Sequence, residues 1–336
     1  MDPESHLVRK DDDDRRLDRI VRRMFPDTEL SSLYRLIRRG KIKLNGKKVP
    51  PSARVREGDR IDVFFKPEIS DTAPDDRGRY ADRCYPVGSY DGGRQEPVEQ
   101  GTALKTLIIH ENRHVLVLNK PAGIVVHGPG SIDRMVSSYL KTKNPPSLSF
   151  RPGPVHRLDQ NTSGILLFSK SLEGARTLSR LLRERKIKKN YVALLDGQLL
   201  LPVLWKDFLN RDSRTRVSRP DEVAGKLALT RVTPVAPEKH ITLVLCQIET
   251  GRTHQIRSQA ALHHHPLTGD AKYGGSRLIP AFLLHAASIS VEESAPLLGF
   301  SSLTAPLPAR AKTLIETLLG GGTLSKLDTL LREASF

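Results

Sequence analysis

His156-Arg-Leu-Asp-Gln-Asn-Thr-Ser-Gly164 sets one carboxylate, Asp159, among turn formers and hydrogen-bond donors. The run follows Arg151-Pro-Gly-Pro154, which is loop chemistry, and leads straight into Ile165-Leu-Leu-Phe168, which has the composition of a buried strand. An acid on a loop at a strand end, between Arg157 and the hydroxyls of Thr162 and Ser163, suits a nucleophile or an acid/base. A short loop with one aspartate is also what a plain turn looks like. What stands elsewhere in the chain decides between the two.

With 336 residues the chain has room for two domains and a sizeable core. Its net charge of +16 points to a polyanionic partner, nucleic acid before an anionic membrane surface. Cys84 and Cys246 lie far apart, so neither a disulfide framework nor a zinc pair is expected. That usage suits a reducing cytoplasm. Met1-Asp-Pro-Glu4 and the four aspartates Asp11 to Asp14 are not followed by the apolar segment of a secretory signal. No run approaches the roughly 20 apolar residues of a membrane span, so no membrane partner is expected.

Charge is concentrated. Residues 15–66 hold 16 Lys/Arg against 6 Asp/Glu, a net of about +10. Residues 67–103 are acidic, rich in Gly, Pro, Ser and Asp, and read as a linker. In the basic segment Leu17, Ile20, Val21 and Met24 fit one helical face. Ser31-Ser32 reads as the cap of a second helix, Leu33 to Arg39, ended by Gly40. Asn45-Gly46 is a hairpin turn between Lys43-Leu44 and Lys47-Lys48-Val49, and Arg60 to Phe65 is a strand. Arg35, Arg38 and Arg39 on the helix, with Lys41, Lys43, Lys47 and Lys48 on the hairpin, form an electrostatic footprint for phosphates, or else a solvated face. Helix, Arg-Arg-Gly-Lys-Ile-Lys-Leu-Asn-Gly-Lys-Lys-Val, then Glu-Gly-Asp-x-Ile resembles the small α/β RNA-binding domain first seen in a ribosomal small-subunit protein. The resemblance implies recognition of structured RNA by shape and phosphate contact.

From residue 104 the pattern is α+β. Val115 to Leu118, Ile124 to Val126, Ile165 to Phe168, Tyr191 to Leu195 and Ile241 to Ile248 read as strands. Leu172 to Arg185 reads as an amphipathic helix, and Ala311 to Leu319 as another with Leu314 and Leu318 inward. Five patches follow one another: Asn119-Lys-Pro-Ala-Gly-Ile-Val-Val-His-Gly128, the His156–Gly164 run, Tyr191-Val-Ala-Leu-Leu-Asp-Gly197, Thr250-Gly-Arg-Thr-His-Gln-Ile-Arg257, and His265 to Gly275. In this order and spacing they resemble the RluA-type pseudouridine synthases, and with the basic segment they match the branch acting on large-subunit ribosomal RNA. The resemblance implies a central mixed, mostly antiparallel sheet spanning 104–336, with a cleft across it. It also implies a cofactor-free, metal-free isomerisation of uridine.

By that resemblance Asp159 occupies the essential aspartate position, Tyr191 stacks on the target uracil, and Arg257 pairs with the aspartate. Burial raises a carboxyl's pKa, and a bidentate arginine counters this while orienting the acid. A uridine held in a duplex must be flipped out to reach a buried acid, and Arg157 is the residue expected to fill the gap. Arg252 suits phosphate contact or loop support, and His254 structural hydrogen bonding beside the RNA. His263, His264, His265, His254 and His285 supply nitrogen ligands enough for zinc, but not at a zinc site's spacing. Lys120 reads as the brace of a strand-to-loop turn in preference to a phosphate contact, and Asp270, the competing carboxylate, as turn chemistry. Arg257-Ser258-Gln259 departs from relatives, which commonly have an apolar residue and then His after the arginine. The chain is expected to be a monomer. A synthase acting on tRNA and a silent RNA-binding assembly factor stand as the alternatives.

Overall fold

The computed structural model describes residues 3–65, 104–143, 147–212, 215 and 217–334. The expected linker, with Cys84, lies outside them.

The basic segment folds around its own core. Helices Leu17–Met24 and Leu30–Arg38 pack Leu17, Ile20, Val21, Leu33 and Ile37 against Ile42 and Ile61. The sheet beneath has three antiparallel strands, β1 (Glu4–Leu7), β2 (Ile42–Leu44) and β3 (Arg60–Val63), in the order β1-β3-β2. This unit therefore draws in residues ahead of 15. The second helix starts at Leu30, not after a Ser31-Ser32 cap: Glu29 is extended and stands in the cap position, and both serines are helical. Asn45 and Gly46 take φ of 51° and 73°, the double left-handed pair of a type I′ hairpin, closed by Leu44 and Lys47 backbone bonds of 2.9 Å.

The remainder is α+β, built on one eleven-stranded sheet. In chain order its strands are β4 (Ile108–Glu111), β5 (Val115–Lys120), β6 (Gly153–Pro154), β7 (Ser163–Ser169), β8 (Ile187–Asp196), β9 (Val203–Arg211), β10 (Ser218–Pro220), β11 (Lys226–Pro237), β12 (Ile241–Ile248), β13 (Leu284–Val291) and β14 (Ser302–Thr304). The order is β10-β9-β11-β12-β8-β13-β7-β5-β4, with β14 on β13 and β6 on β7. Every pairing is antiparallel except β13 with β7, so the sheet is mixed and mostly antiparallel.

Period-two alternation along central β8 sends its side chains into two cores. Tyr191, Ala193 and Leu195 face the layer closed by helix Leu172–Arg183 through Leu178 and Leu181. Val192 and Leu194 face the layer closed by helices Ala309–Leu319 and Thr323–Glu333 through Ile315 and Leu327. In the first of those two helices Ala311 and Ile315 carry the buried face, and Leu314 and Leu318 only flank it. Ile124 to Val126 is not a strand. The backbone turns there around Gly123 and Gly128, both at positive φ, and Val126 enters the core from this loop.

Candidate active site

Asp159 sits on the turn between β6 and β7, and Thr162 N–H donates to its carbonyl at 3.1 Å. Two loops are stitched together beneath it. Lys120, fully buried at the end of β5, donates Nζ hydrogen bonds to the carbonyls of Pro121, Ile124 and Gln160 at 2.9, 2.8 and 3.0 Å. Gln160 in turn donates to the Gly123 carbonyl at 3.0 Å and accepts from Gly123 N–H at 2.9 Å. Burial draws the Lys120 ammonium down to about 7, with the Asp159 charge opposing the fall. A neutral amine has only two N–H bonds, so a cradle of three carbonyls matches the charged form. At the far end of the turn Gly164 has φ of +106°, and a Cβ there would collide with the Ala286 backbone of β13. No other residue lets β7 lie against β13 at this point.

Asp159, Arg157, Tyr191, Arg252, His254 and Arg257 line one cleft, floored by apolar Ile248, Ile256 and Leu284. Six residues singled out in the sequence are therefore brought together, from the turn, from β8, and from the loop and helix after β12. Tyr191 stands in the middle of the sheet, opposite Cys246 of β12 and Ala286 of β13. Burial, and then the charge of Asp159, push its hydroxyl above the ordinary tyrosine value. Arg252 spends its Nε on the Leu227 carbonyl at 3.0 Å, so it supports the loop as well as facing the cleft.

Arg257, on helix Gln255–Leu262, does not fork onto Asp159. Its Nε and Nη2 grip the two oxygens of Asp270 at 2.7 and 2.9 Å, and Nη1 reaches Asp159 Oδ2 at 3.3 Å. Asp270 is almost wholly buried, and the guanidinium lies over the rings of Phe282 and Tyr273 at 4.5 and 5.0 Å. Burial alone would lower the Arg257 pKa; Asp270 first, and then Asp159, raise it instead. Asp270 does close a turn, with Tyr273 N–H on its carbonyl, but its side chain is the arginine's anchor.

His254 takes left-handed backbone, φ 52°, just ahead of that helix. Its Nδ1 lies 2.9 Å from the Tyr273 hydroxyl, and its Nε2 lies 3.8 Å from Asp159. The Tyr273 oxygen also accepts from Ser218 N–H at 2.9 Å, so it ties His254 to β10. Burial lowers the His254 pKa, with the Asp159 charge opposing. His156 turns inward and accepts the Leu167 N–H on Nε2 at 3.1 Å.

Of the other histidines weighed as metal ligands, His264 is exposed and three have protein partners. His263 stacks on Trp205 and meets Asp207 at 3.1 Å, His265 meets the Asp196 carbonyl, and His285 bridges Ser163 and the Ala305 carbonyl. Gln259, where the family pattern has His, is buried and shares Asp207 with His263 at 2.6 Å. Arg35, Arg38, Arg39, Lys41, Lys47 and Lys48 are exposed on the small unit, and Lys43 lies 4.9 Å over the Phe64 ring. These cations do not line the cleft. Among the described residues none of them pairs with a carboxylate.

A cleft holding an aspartate, a buried tyrosine and a clamped arginine on a mostly antiparallel sheet, behind a basic domain, defines a class. The family model described as RNA pseudouridylate synthase matches residues 114–262, and the S4 domain model matches residues 15–61. The chain belongs to the RNA pseudouridylate synthase family. It is 30% identical over 329 residues to ribosomal large subunit pseudouridine synthase C of Salmonella typhi, covering 93% of this chain and 95% of that protein. It is 32% identical over 274 residues to the synthase C of Escherichia coli K12, covering 80% and 78%. To ribosomal large subunit pseudouridine synthase D of Xylella fastidiosa it is 31% identical over 268 residues, covering 79% and 73%. The structure of human RNA pseudouridylate synthase domain containing 4 shares the fold, with a TM-score of 0.54 at 21% identity over 65% of this chain and 95% of that one. Among the described residues no helix is long and apolar enough to cross a membrane.

Proposed function

We propose that the chain isomerises specific uridines of large-subunit ribosomal RNA to pseudouridine, as a cytoplasmic monomer, with Asp159 as nucleophile on a flipped-out nucleotide. The observation that carries this is the convergence of Asp159, Tyr191 and Arg257 from three separate elements on one cleft. The names of the relatives support the choice of RNA.

The reaction breaks the bond from uracil N1 to ribose C1′, turns the base, and joins C5 to C1′; C5 loses a proton and N1 gains one. Atoms and oxidation state balance, so the chemistry calls for neither a cofactor nor a metal. Two routes use the same carboxylate: attack on C1′ with uracil departing, or addition to C6 of the base. Both use the Asp159 carboxylate, beside which Arg257 sets a positive charge at 3.3 Å. Flipping costs a few kcal/mol, which exposed Arg157, two residues ahead of Asp159, offsets by filling the vacated stack. Tyr191 gives the base a ring to stack on. Its phenol stays neutral at pH 7, so it helps the C5 proton leave by relaying it rather than as a standing phenolate. The basic face of the S4 domain holds structured RNA by its phosphates.

Mapping pseudouridines in total RNA from cells with and without the protein tests the proposal. Loss of defined sites from large-subunit RNA is expected. Loss confined to tRNA would move the substrate, and an unchanged map would remove the activity.

A further inference from the structure

The four consecutive aspartates are not a free acidic tail. Asp11 and Asp12 turn toward the synthase domain, while Asp13 and Asp14 turn toward the S4 domain. Asp12 is fully buried, and its carboxylate collects four hydrogen bonds from one short segment: Ser147 Oγ at 2.7 Å, Leu148 N at 3.0 Å, Ser149 N at 2.8 Å and Ser149 Oγ at 2.6 Å. Ser149 Oγ also accepts from Arg15 Nη1 at 2.7 Å. Leu148 packs into the hydrophobic core of the S4 domain. Asp11 Oδ1 accepts the Leu172 N–H at 2.9 Å, on the first turn of helix Leu172–Arg183. An acid there satisfies an otherwise orphan amide and suits the helix dipole. On the other side Asp13 accepts Glu57 N–H at 2.9 Å, and Asp14 pairs with Arg54 at 3.0 Å and Arg56 at 3.4 Å.

We propose that Asp11 to Asp14 form a latch that holds the S4 domain rigidly on the synthase domain, so that the two act as one ruler that decides which uridine of a folded RNA reaches Asp159. The proposal rests on the RNA-binding reading of the basic face. Its mechanical half rests on geometry alone. A carboxylate with four short donors and no solvent contact is expensive to undo, because opening strands buried polar groups on both sides. The anchor is also close to the chemistry. Ser149 stands ten residues ahead of Asp159, and the intervening chain is held by β6 against β7, the strand that Asp159's turn enters. A flexible tether would let the basic face dock RNA in many registers. A fixed one presents only nucleotides at a set distance and direction from the phosphates it grips.

The test uses the full chain carrying Asp12→Ala, compared with wild type on a folded domain of large-subunit RNA and on a minimal stem-loop holding the same uridine. Expected is a loss of at least tenfold in kcat/KM on the folded RNA, with new uridines modified. The stem-loop should be turned over within twofold of wild type. Small-angle scattering should show a more extended particle. Asp12→Asn and Leu148→Ala, milder changes at the same contact, read the same quantities if the alanine variant does not fold. A wild-type scattering profile with wild-type site choice overturns the latch. An extended particle that still chooses the wild-type site overturns the ruler. The salt dependence of RNA affinity separates these from failure of the RNA-binding reading: it should be unchanged in the latch variants and reduced only when the basic residues are replaced.

Discussion

Arg257 commits two of its three nitrogens to Asp270, at 2.7 and 2.9 Å, and offers Asp159 the third at 3.3 Å. The planar fork is thus oriented by Asp270, and the charge beside Asp159 is fixed without occupying both oxygens of the acid proposed as nucleophile. A bidentate pair with Asp159 itself would have oriented that carboxylate but tied down its lone pairs.

Asp270→Asn should therefore slow the enzyme although Asp270 takes no part in bond making. The amide keeps one acceptor and brings an N–H against the guanidinium, so Arg257 loses both charge partner and aim. We expect kcat to fall about 10- to 100-fold, roughly 1.4 to 2.8 kcal/mol of barrier, with RNA affinity changed less than threefold. Breaking a buried pair also costs stability, about 3 kcal/mol or more. Single-turnover kinetics beside a melting curve checks this; unchanged kcat in a folded variant would make Asp270 merely a turn residue.

Tyr191→Phe and Tyr191→Leu separate stacking from proton relay. Phe keeps the ring, so it should bind RNA normally and stall with C5 still protonated; Leu should weaken binding as well, since base stacking on an aromatic is worth about 1–3 kcal/mol. Release of tritium from C5 reads the relay directly. Wild-type release by the Phe variant would leave the ring alone as the functional part.

Burial, and then the charge of Lys189, hold folded His156 down to about 4, against an ordinary 6.5. Between those values the unfolded chain carries a proton that the folded one refuses, so stability present above pH 6.5 is lost as pH falls toward 4. Protonation also removes the Nε2 lone pair that accepts Leu167 N–H. Stability should drop across that window by about 3 kcal/mol, read from denaturant midpoints, and His156→Gln should flatten the drop. An equally steep acid limb in the variant would assign it elsewhere.

Replacing Arg35, Arg38, Arg39, Lys47 and Lys48 together by Gln should reduce the salt dependence of RNA binding without touching the cleft. Every phosphate that the protein no longer neutralises lowers the slope of log affinity against log salt by about 0.7 to 0.9, so removing all five cations gives a change of about 4. Turnover on a short saturating fragment should remain near wild type. An unchanged slope would show that face to be only solvated.

Local chemistry makes much of this molecule legible. Asn45-Gly46 specifies a type I′ turn by itself, and Ile241 to Ile248 is a strand by composition. The turn before β7 announces Asp159 because polar turn formers break abruptly into an apolar run. Expectation and structure part where tertiary contact outweighs local pattern. Ile124 to Val126 is β-branched and apolar, yet Val126 enters the core from a loop, not from a ladder. Glu4 to Leu7 has little strand pattern and is recruited by backbone pairing to β3. Thr268-Gly-Asp270 is a turn, as its composition says, but its carboxylate's partner is chosen by the fold. Asp12 finds its donors at 147–149, a separation that no window on the sequence spans. Asp159, Tyr191 and Arg257 are marked by family resemblance added to chemistry, and their meeting in one cleft is what the fold contributes.

The most direct test of the account is single-turnover conversion by Asp159→Asn of a large-subunit RNA fragment tritiated at uracil C5. The amide is nearly isosteric and removes the nucleophile with little change of surface. We predict no tritium release above background and no pseudouridine in the product, with RNA binding within a few-fold of wild type. Turnover at a tenth of the wild-type rate or more would contradict the assignment of Asp159 as the nucleophile.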